Sequence, residues 1–326
     1  MDILKIENLK VYYFSIKGVF KAVDDINLEI KEGESVGLVG ESGSGKSTVA
    51  LSILDLHPSS GKKLNGKIFF KGENLEEKNE KERRKILGKE IGIVFQDPSS
   101  YLNPLLKIGD QIAEVLILHN NLSKKEAILK SIEILSKLEI PSPEEVINYY
   151  PHQLSGGMKQ RVVIGIAIAR NPSLLIADEP TTALDVSVQL QILELLKNLK
   201  KQMKLSLLFI SHDLGIVTNI CDRVYVMYAG KICESGYIDD IYNTPLHPYT
   251  KRLLNCAISL YQKKENLDFI PGEVPDISKP LIVCPFAPRC DFVKEICYKK
   301  FPPVFNYDNH LVYCWLYGDQ DEYIRS

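Results

Sequence analysis

A glycine-rich segment near the amino end of the chain has the residue types of a phosphate-binding loop. It reads Gly40-Glu-Ser-Gly-Ser-Gly45-Lys46-Ser47 and fits the pattern G-x-x-x-x-G-K-[ST]. Glycines let backbone N–H groups converge on phosphate oxygens, and the start of the following helix adds a positive dipole end. Lys46 would reach the β- and γ-phosphates, and the Ser47 hydroxyl would ligate Mg²⁺. The residues predicted to form this cradle are Gly40, Ser42, Gly43, Ser44, Gly45, Lys46, Ser47 and Thr48.

Two adjacent acids follow a short apolar run at residues 174–177. Asp178, at the tip of the predicted strand, would bind Mg²⁺ directly or through water. Glu179 would then polarise the attacking water as a general base. An acidic pair after a strand is weak on its own, because many strands end in solvated acids. Together with a phosphate loop, the pair predicts hydrolysis of a nucleoside triphosphate.

A serine and two glycines precede another predicted helix, in the segment Leu154-Ser155-Gly156-Gly157-Met158-Lys159-Gln160-Arg161. The segment suits a plain helix start. A serine hydroxyl and free backbone N–H groups at a helix N-terminus also make a second anion cradle. We therefore expect Ser155, Gly156 and Gly157 to contact a phosphate.

Four of the seven cysteines crowd the last 43 residues: Cys284, Cys290, Cys297 and Cys314. In a reducing cytosol clustered thiols favour a metal over disulfides. The spacing C-x5-C-x6-C-x16-C fits neither the usual zinc pairs nor the common ferredoxin patterns. Spacing alone leaves zinc, an iron–sulfur cluster and plain buried thiols open. The remaining cysteines, Cys221, Cys233 and Cys256, lie among apolar residues and are predicted to be core residues.

Short apolar runs and helical periodicity predict the elements that position these residues. Buried strands are expected at 36–39, 91–95, 174–177 and 207–210, and helices at 47–56, 108–118, 124–138 and 186–203. Strands that alternate with helices predict a mostly parallel sheet with ligands at the carboxyl ends of its strands. The helical stretch at 97–157 is expected to be a subdomain inserted into that sheet. Prolines become frequent after residue 245, so 246–326 is predicted to be an irregular extension without long helices or central strands.

Composition limits the class of protein. The 326 residues allow about two domains. Forty Lys and Arg against 42 Asp and Glu give a net charge of −2, which argues against a nucleic-acid binder. No apolar run approaches the roughly 18 residues of a membrane span, and residues 1–10 lack a signal-peptide pattern. We expect a protein that is made and kept in the cytosol.

The motifs in their order along the chain resemble those of ATP-binding cassette (ABC) ATPases. The segment that starts at Leu154 is similar to their signature motif, and Gln96 to the Q-loop glutamine that senses Mg²⁺ and the attacking water. Ala183-Leu184-Asp185 resembles the D-loop, and His212 the switch histidine that contacts the γ-phosphate. The resemblance spans about residues 3–245.

This resemblance implies an α/β fold with a P-loop NTPase core, an N-terminal antiparallel β subdomain, the inserted helical subdomain and a C-terminal extension from residue 246. It implies that two cassettes pack head to tail, so that the signature of each closes over the nucleotide of the other. Tyr13 is expected to stack on adenine. Its close rivals are Tyr12, Phe14 and Phe20.

Three further segments resemble the ATPase subunits of dipeptide and oligopeptide importers. They are Gln96-Asp-Pro-Ser-Ser-Tyr-Leu-Asn-Pro104, His247-Pro-Tyr-Thr250 and Ile270-Pro-Gly-Glu-Val-Pro275. Subunits of that kind carry a C-terminal cysteine motif, and the resemblance implies a [4Fe–4S] cluster on Cys284, Cys290, Cys297 and Cys314. Nickel importers share much of the pattern, so nickel stays an alternative cargo.

The function implied is ATP hydrolysis that powers import through a membrane transporter. The implied partners are two permease subunits, a second related ATPase subunit (or a second copy of this chain) and, indirectly, an extracytoplasmic peptide-binding protein, at the cytoplasmic face of the inner membrane. The region after Gln96, with Tyr101, Leu102 and Leu105, is the expected permease contact. A non-transport ABC ATPase and a redox-sensing protein are the alternatives of other classes. Only 57 residues separate Gln96 from Leu154. That is too few for the long coiled-coil insertion that non-transport ABC ATPases carry.

Overall fold

The computed structural model describes residues 1–120, 122–182, 184–261, 269–278 and 282–318. Its strands are β1 (Asp2–Ser15), β2 (Gly18–Lys31), β3 (Ser35–Val39), β4 (Gly61–Phe70), β5 (Glu73–Asn74), β6 (Ile91–Val94), β7 (Leu174–Asp178), β8 (Ser206–Ser211), β9 (Arg223–Tyr228), β10 (Lys231–Tyr237), β11 (Phe305–Tyr307) and β12 (His310–Val312). Its α-helices are α1 (Lys46–Leu54), α2 (Glu80–Glu90), α3 (Pro98–Tyr101), α4 (Ile108–Asn120), α5 (Lys124–Lys137), α6 (Pro143–Val146), α7 (Gly156–Ile168), α8 (Val186–Met203), α9 (Leu214–Val217), α10 (Ile238–Asn243) and α11 (Pro248–Tyr261). Short 3₁₀ helices occupy Leu75–Glu77, Pro151–Gln153, Ala287–Arg289 and Glu295–Tyr298.

The chain divides into two compact units. The first, here called the helical unit, comprises Met1, Lys31–Glu34 and Glu77–Leu208. The second, here called the phosphate-loop unit, comprises Asp2–Ile30, Ser35–Glu76 and Phe209–Ser326.

The phosphate-loop unit contains an antiparallel sheet with the strand order β2-β1-β4-β5, as predicted for the N-terminal β subdomain. It also contains β3, which pairs in parallel with β9, from Val36 opposite Arg223 to Val39 opposite Val226. Next to β9 come β10, β12 and β11, in that order. Both faces of β3 are covered, since all five of its residues are buried, and this burial explains its continuous apolar run.

The helical unit contains β6 and β7, which run parallel from Ile91 opposite Leu174 to Val94 opposite Ala177. Their parallel register brings both carboxyl ends to one edge. Between these strands in sequence lie the helices of the predicted inserted region. One of them, α5, begins with a capping box between Ser123 and Glu126, which satisfies backbone groups that a helix start leaves open.

Most elements predicted from periodicity are present within a few residues of the expected bounds. The helix expected at 186–203 has those bounds, and the strand expected at 174–177 extends by one residue to Asp178. Periodicity was informative here because these segments contain no proline or glycine.

The prediction of an irregular extension after residue 245 was wrong in two places. A 14-residue helix, α11, begins at Pro248, because proline is tolerated in the first turn of a helix, where its missing N–H is not needed. Strand β12 pairs with β10 on one side and with β11 on the other, so it is not an edge strand.

Burial confirms two of the predicted core cysteines and corrects two other assignments. Cys221 and Cys233 are buried, whereas Cys256 is only half-buried. Leu102, expected on a contact surface, is 2% exposed and is a core residue. None of the helices in the described ranges combines the length and the apolar character that crossing a bilayer requires.

Candidate active site

The phosphate loop connects the end of β3 at Val39 to the start of α1 at Lys46. Two of its glycines are required by close approach of the backbone. A Cβ atom at Gly40 would lie 2.0 Å from the Met227 carbonyl oxygen, and one at Gly45 would lie 2.0 Å from that of Ala22. Gly45 also has a φ of 104°, which side chains rarely adopt. The loop is therefore held against β9 and β2 of its own unit.

Lys46 lies folded back on this loop. Its Nζ atom donates to the carbonyl oxygens of Gly40 at 2.8 Å and Glu41 at 3.0 Å, and the residue is 4% exposed. The neighbouring Ser42, Gly43 and Ser47 are exposed. An ammonium group fixed by loop carbonyls, beside exposed small residues, suits a phosphate ligand.

Tyr13 contacts the phosphate-loop helix α1. Its hydroxyl lies 3.3 Å from the Thr48 hydroxyl. Tyr12 points elsewhere, since its hydroxyl donates to Asp24 at 2.8 Å, and burial together with that bond raises the pKa of Tyr12 to about 12. His212, also predicted as a site residue, follows the last residue of β8 and is exposed.

In the helical unit, Gln96 and Glu179 meet where β6 and β7 end. The Gln96 amide Nε2 donates to Glu179 Oε2 at 3.2 Å, and the Thr182 hydroxyl donates to the same oxygen at 3.0 Å. Glu179 has a φ of 48°, in the left-handed region that favours glycine. Asp178 ends β7 and is 6% exposed. The two donors orient the Glu179 carboxylate at the end of β7.

The signature segment and the start of α8 also lie side by side in the helical unit. Ser155 caps α7, and its Oγ accepts the Met158 N–H at 3.3 Å. A Cβ atom at Gly157 would lie 2.6 Å from Val188 Cγ1 of α8. This close packing explains a glycine at residue 157. Gly156 is less crowded, with Leu184 Cδ2 3.6 Å from its Cβ position.

Asp185, the last residue of the predicted D-loop, caps α8. Its Oδ1 accepts the Ser187 hydroxyl at 2.7 Å and the Val188 N–H at 3.0 Å. These bonds lower the pKa of Asp185 below its ordinary value. Ala183 of the same predicted motif lies outside the described residues.

The sequence motifs gave no role to two residues of the helical unit that hydrogen-bond at or beside the predicted site residues. Thr182, which holds Glu179, follows it by three residues and belongs to no recognised pattern. Arg161 lies in the signature segment, and its guanidinium donates to the Leu138 carbonyl at 2.6 Å and to Glu139 at 3.1 Å. An arginine on an otherwise apolar helix face was the available signal, because buried arginines need partners.

The four C-terminal cysteines lie in one neighbourhood of the phosphate-loop unit. Cys284 and Cys297 pack with Ala287, Ile296 and Trp315. Burial raises the pKa of Cys284 to about 12 and that of Cys314 to about 11, and the charges of the other cysteines in the set add to both rises. In the ranges that the structure describes, none of the seven cysteines forms a disulfide, and no three His, Cys, Asp or Glu side chains are arranged to hold one metal ion.

Comparison with protein families gives two matches. The family described as "ABC transporter" matches residues 23–182. The family described as "Oligopeptide/dipeptide transporter, C-terminal region" matches residues 233–297. The second match includes the segment from Cys233 to Cys297 and so reaches three of the four clustered cysteines.

Individual proteins agree with these matches. The chain is 46% identical to the oligopeptide transport ATP-binding protein OppD of Bacillus subtilis, over 96% of this chain and 88% of that protein. It is 44% identical to the dipeptide transport ATP-binding protein DppD of the same organism, over 98% of this chain and 96% of that protein. Among solved structures, the dimeric post-hydrolysis state of the ATP-binding cassette MJ0796 bound to ADP and Pi has a TM-score of 0.65 and 31% identity, with 72% of this chain and 98% of that chain covered. The predicted α/β P-loop NTPase fold is thereby confirmed.

Proposed function

The chain belongs to the ATP-binding subunits of ABC transporters, in the oligopeptide and dipeptide import group, and from this premise we propose how its residues act. It is an ATPase that hydrolyses ATP to ADP and phosphate and powers peptide import. The observation that carries this function is that the cassette match and the peptide-transporter match fall on one chain. The geometry at Glu179 agrees with it, since a carboxylate with two donors is a ready general base.

In the phosphate-loop unit, Lys46 and the loop backbone bind the β- and γ-phosphates. The loop residues involved are Gly40, Ser42, Gly43, Ser44, Gly45, Ser47 and Thr48. Tyr13 stacks on adenine, supported by its contact with Thr48 at 3.3 Å. His212 contacts the γ-phosphate and helps to stabilise the charge that develops there.

In the helical unit, Glu179 takes the proton of the attacking water, and Gln96 and Thr182 keep its carboxylate in place. The oxygens of Gln96 and Asp178 are suitable Mg²⁺ ligands, and the buried carboxylate at the end of β7 fits this use. In the phosphate-loop unit, the Ser47 hydroxyl is a suitable Mg²⁺ ligand of the same kind. Mg²⁺, when bound, neutralises phosphate charge. Ser155, Gly156, Gly157 and Asp185 serve the nucleotide of a second ATPase subunit.

Substitution of the general base tests the catalytic assignment. Glu179→Gln should keep ATP binding within about threefold and lower the turnover rate by at least about a hundredfold, because proton abstraction contributes roughly 10²–10⁴. The measurement is phosphate release with the ATP Kd determined in parallel. Glu194→Gln, at an exposed position of α8, is the matched control and should turn over normally. A Glu179→Gln variant with near-wild-type turnover refutes the assignment.

We propose a dimer with a related ATPase, or with a second copy, docked on two permease subunits at the cytoplasmic face of the membrane, and no nucleic-acid partner. The exposed apolar residues between β6 and α4 support the permease contact: Tyr101 is 46%, Leu105 is 82% and Leu106 is 39% exposed. Leu106 replaces the buried Leu102 in this surface. We propose that residues 1–245 form the nucleotide-binding domain and that residues 246–326 form a C-terminal extension.

Peptides are the cargo, because the similar proteins are named for oligopeptides and dipeptides. Nickel stays a second candidate on the sequence resemblance alone. Which peptide length is carried is a property of the partner subunits, since the cargo need not touch this ATPase.

We propose further that Cys284, Cys290, Cys297 and Cys314 hold a [4Fe–4S] cluster. Four free thiols whose charges act on one another fit the donor set of such a cluster. Thiolates, not thiols, bind the metal, so binding of the cluster must supply the free energy that deprotonates these buried thiols. The fraction of chains that hold a cluster should therefore fall as the pH is lowered.

Metal analysis of the purified chain tests the cluster. The sample should be brown and contain about four irons per chain. Cys290→Ser should lower the iron content and the visible absorbance, whereas Cys256→Ser should leave both unchanged. One zinc per colourless chain would overturn the assignment.

A further inference from the structure

Arg289 is a buried arginine that binds a residue of the phosphate loop. It lies between two of the clustered cysteines in sequence, and its side chain is 4% exposed. Its Nη1 atom donates to Glu41 Oε2 at 2.7 Å, and its Nη2 atom donates to Glu41 Oε1 at 3.0 Å. This two-point geometry is the strong form of an arginine–carboxylate pair.

The remaining donors of Arg289 are also used. Nη1 donates to the Tyr228 hydroxyl at 3.0 Å. Nη2 donates to the Ile270 carbonyl at 2.9 Å, and Nε to that of Pro271 at 2.9 Å. All five N–H donors of the guanidinium therefore have acceptors, and the bonds to Glu41 are the first cause of the raised pKa of Arg289. The group is fixed and charged.

The backbone N–H, the backbone carbonyl and the side-chain carboxylate of Glu41 are all hydrogen-bonded. Its N–H donates to the Tyr249 hydroxyl at 2.9 Å. Its carbonyl oxygen accepts from Lys46 Nζ at 3.0 Å and from the Ser44 N–H at 3.1 Å. The side chain of Glu41 binds Arg289, so the residue that carries the carboxylate also holds the phosphate-binding lysine.

The Arg289–Glu41 pair and its neighbours bring together three segments that had no assigned role in nucleotide binding. Tyr249 comes from His247-Pro-Tyr-Thr250, the two carbonyls from the segment that begins at Ile270, and Arg289 from the cysteine segment. All of them belong to the phosphate-loop unit. Tyr249 and Arg289 contact Glu41, the one acidic residue of the phosphate loop, and the two carbonyls hold Arg289 in place.

A carboxylate in a phosphate loop opposes binding of a triphosphate by charge repulsion. We propose that Arg289 is a positioning residue that neutralises Glu41 and holds its carboxylate away from the nucleotide, so that the C-terminal segment sets the affinity of the phosphate loop for ATP. This proposal rests on the proposed function, because it concerns ATP bound at the same loop. It requires no metal at the cysteines.

The test is ATP affinity of the purified full chain, measured by calorimetry at low salt and at about 1 M salt, where the Debye length is roughly 3 Å. Arg289→Met should raise the Kd for ATP by about tenfold at low salt, because an unpaired carboxylate faces the phosphates. Adding Glu41→Gln to Arg289→Met should restore affinity to within about threefold of wild type, and high salt should narrow the difference between the single variant and wild type. KM should rise while kcat stays within about twofold, since the reacting groups are untouched.

Arg252→Met is the matched control, because Arg252 forms an ion pair with Asp291 beside the same cysteine segment and, within the described residues, forms no hydrogen bond or ion pair with the loop. It should bind ATP like wild type. Should Arg289→Met fail to fold, Glu41→Gln alone carries the test, since Arg289 keeps its other three acceptors; its Kd at low salt should fall and not rise. A folded Arg289→Met variant with wild-type affinity, a double variant no better than the single one, or a raised Kd for Glu41→Gln overturns the proposal. Loss of ATP binding by the wild type would instead refute the proposed function.

Discussion

At the scale of single residues, the carboxylate proposed as the general base accepts from one donor that is distant in sequence and from one that is close. Gln96 and Glu179 are 83 residues apart and meet at 3.2 Å. The sequence identified both from their motifs, but the contact follows only from the parallel register of β6 and β7. Thr182 could not be identified, because a threonine three residues after an acid carries no pattern of its own.

His247 gives a pH-dependent prediction at this scale. It is 3% exposed, its Nδ1 accepts the Tyr249 N–H at 3.0 Å, and burial lowers its pKa from 6.5 to about 4 against the opposing effect of Glu234. The unfolded chain therefore binds this proton at higher pH than the folded chain does. The stability that neutral His247 provides is complete above about pH 6.5 and is lost as the pH falls through about 4.

We expect His247→Asn, which keeps an acceptor near the Nδ1 position, to weaken this dependence. The free energy of unfolding of the wild type should lose about 3 kcal/mol more than that of the variant across this window. The measurement is urea unfolding at several pH values, with the wild type and the variant compared at each pH, so that the contributions of other groups cancel. Equal losses in the two proteins would contradict a buried neutral His247.

At the scale of elements, the packing of α7 on α8 positions the signature segment. Gly157→Ala should lower stability by about 1–3 kcal/mol, because its Cβ would overlap Val188 at 2.6 Å. Thermal unfolding measures this loss. Gly157→Ala combined with Val188→Ala should cost less than the sum of the two single changes, since the second removes the atom that the first displaces.

Gly156→Ala is the matched control for this packing, because its Cβ would stand 3.6 Å from Leu184, an ordinary contact. The midpoint temperature of thermal unfolding of Gly156→Ala should stay close to that of the wild type. If Gly156→Ala and Gly157→Ala lowered the midpoint equally, a general effect of glycine replacement would explain both, and the close approach of the two helices would not be the cause.

Elements with a clear period could be predicted, and those in the proline-rich segment could not. The apolar residues of helix α8 recur at uninterrupted helical spacing, and strand β7 is a continuous apolar run up to Asp178. The hairpin of β11 and β12 was missed, although Asp308 and Asn309 at its turn have φ values of 50° and 73°. Such residues at a two-residue turn are a known hairpin signal. The surrounding prolines obscured it, as they obscured the start of α11.

At the scale of the whole molecule, the motifs identified the chemistry but not the link from the C-terminal segment to the phosphate loop. Each motif is a short continuous pattern, so its residues could be named from the sequence. Arg289 and Glu41 are 248 residues apart, and neither one suggests the other. Long-range pairs of this kind depend on the fold, and a single sequence does not contain them in readable form.

Peptide uptake by the assembled transporter tests the central claim most directly. The chain is reconstituted in lipid vesicles with the proposed permease subunits, partner ATPase and binding protein, and labelled peptide is supplied on the side of the binding protein. The account predicts that peptide accumulates only when ATP is present on the side of this chain, and that Glu179→Gln greatly reduces accumulation. Peptide uptake that is independent of ATP, or ATP hydrolysis stimulated by Ni²⁺ and not by peptide, would contradict it.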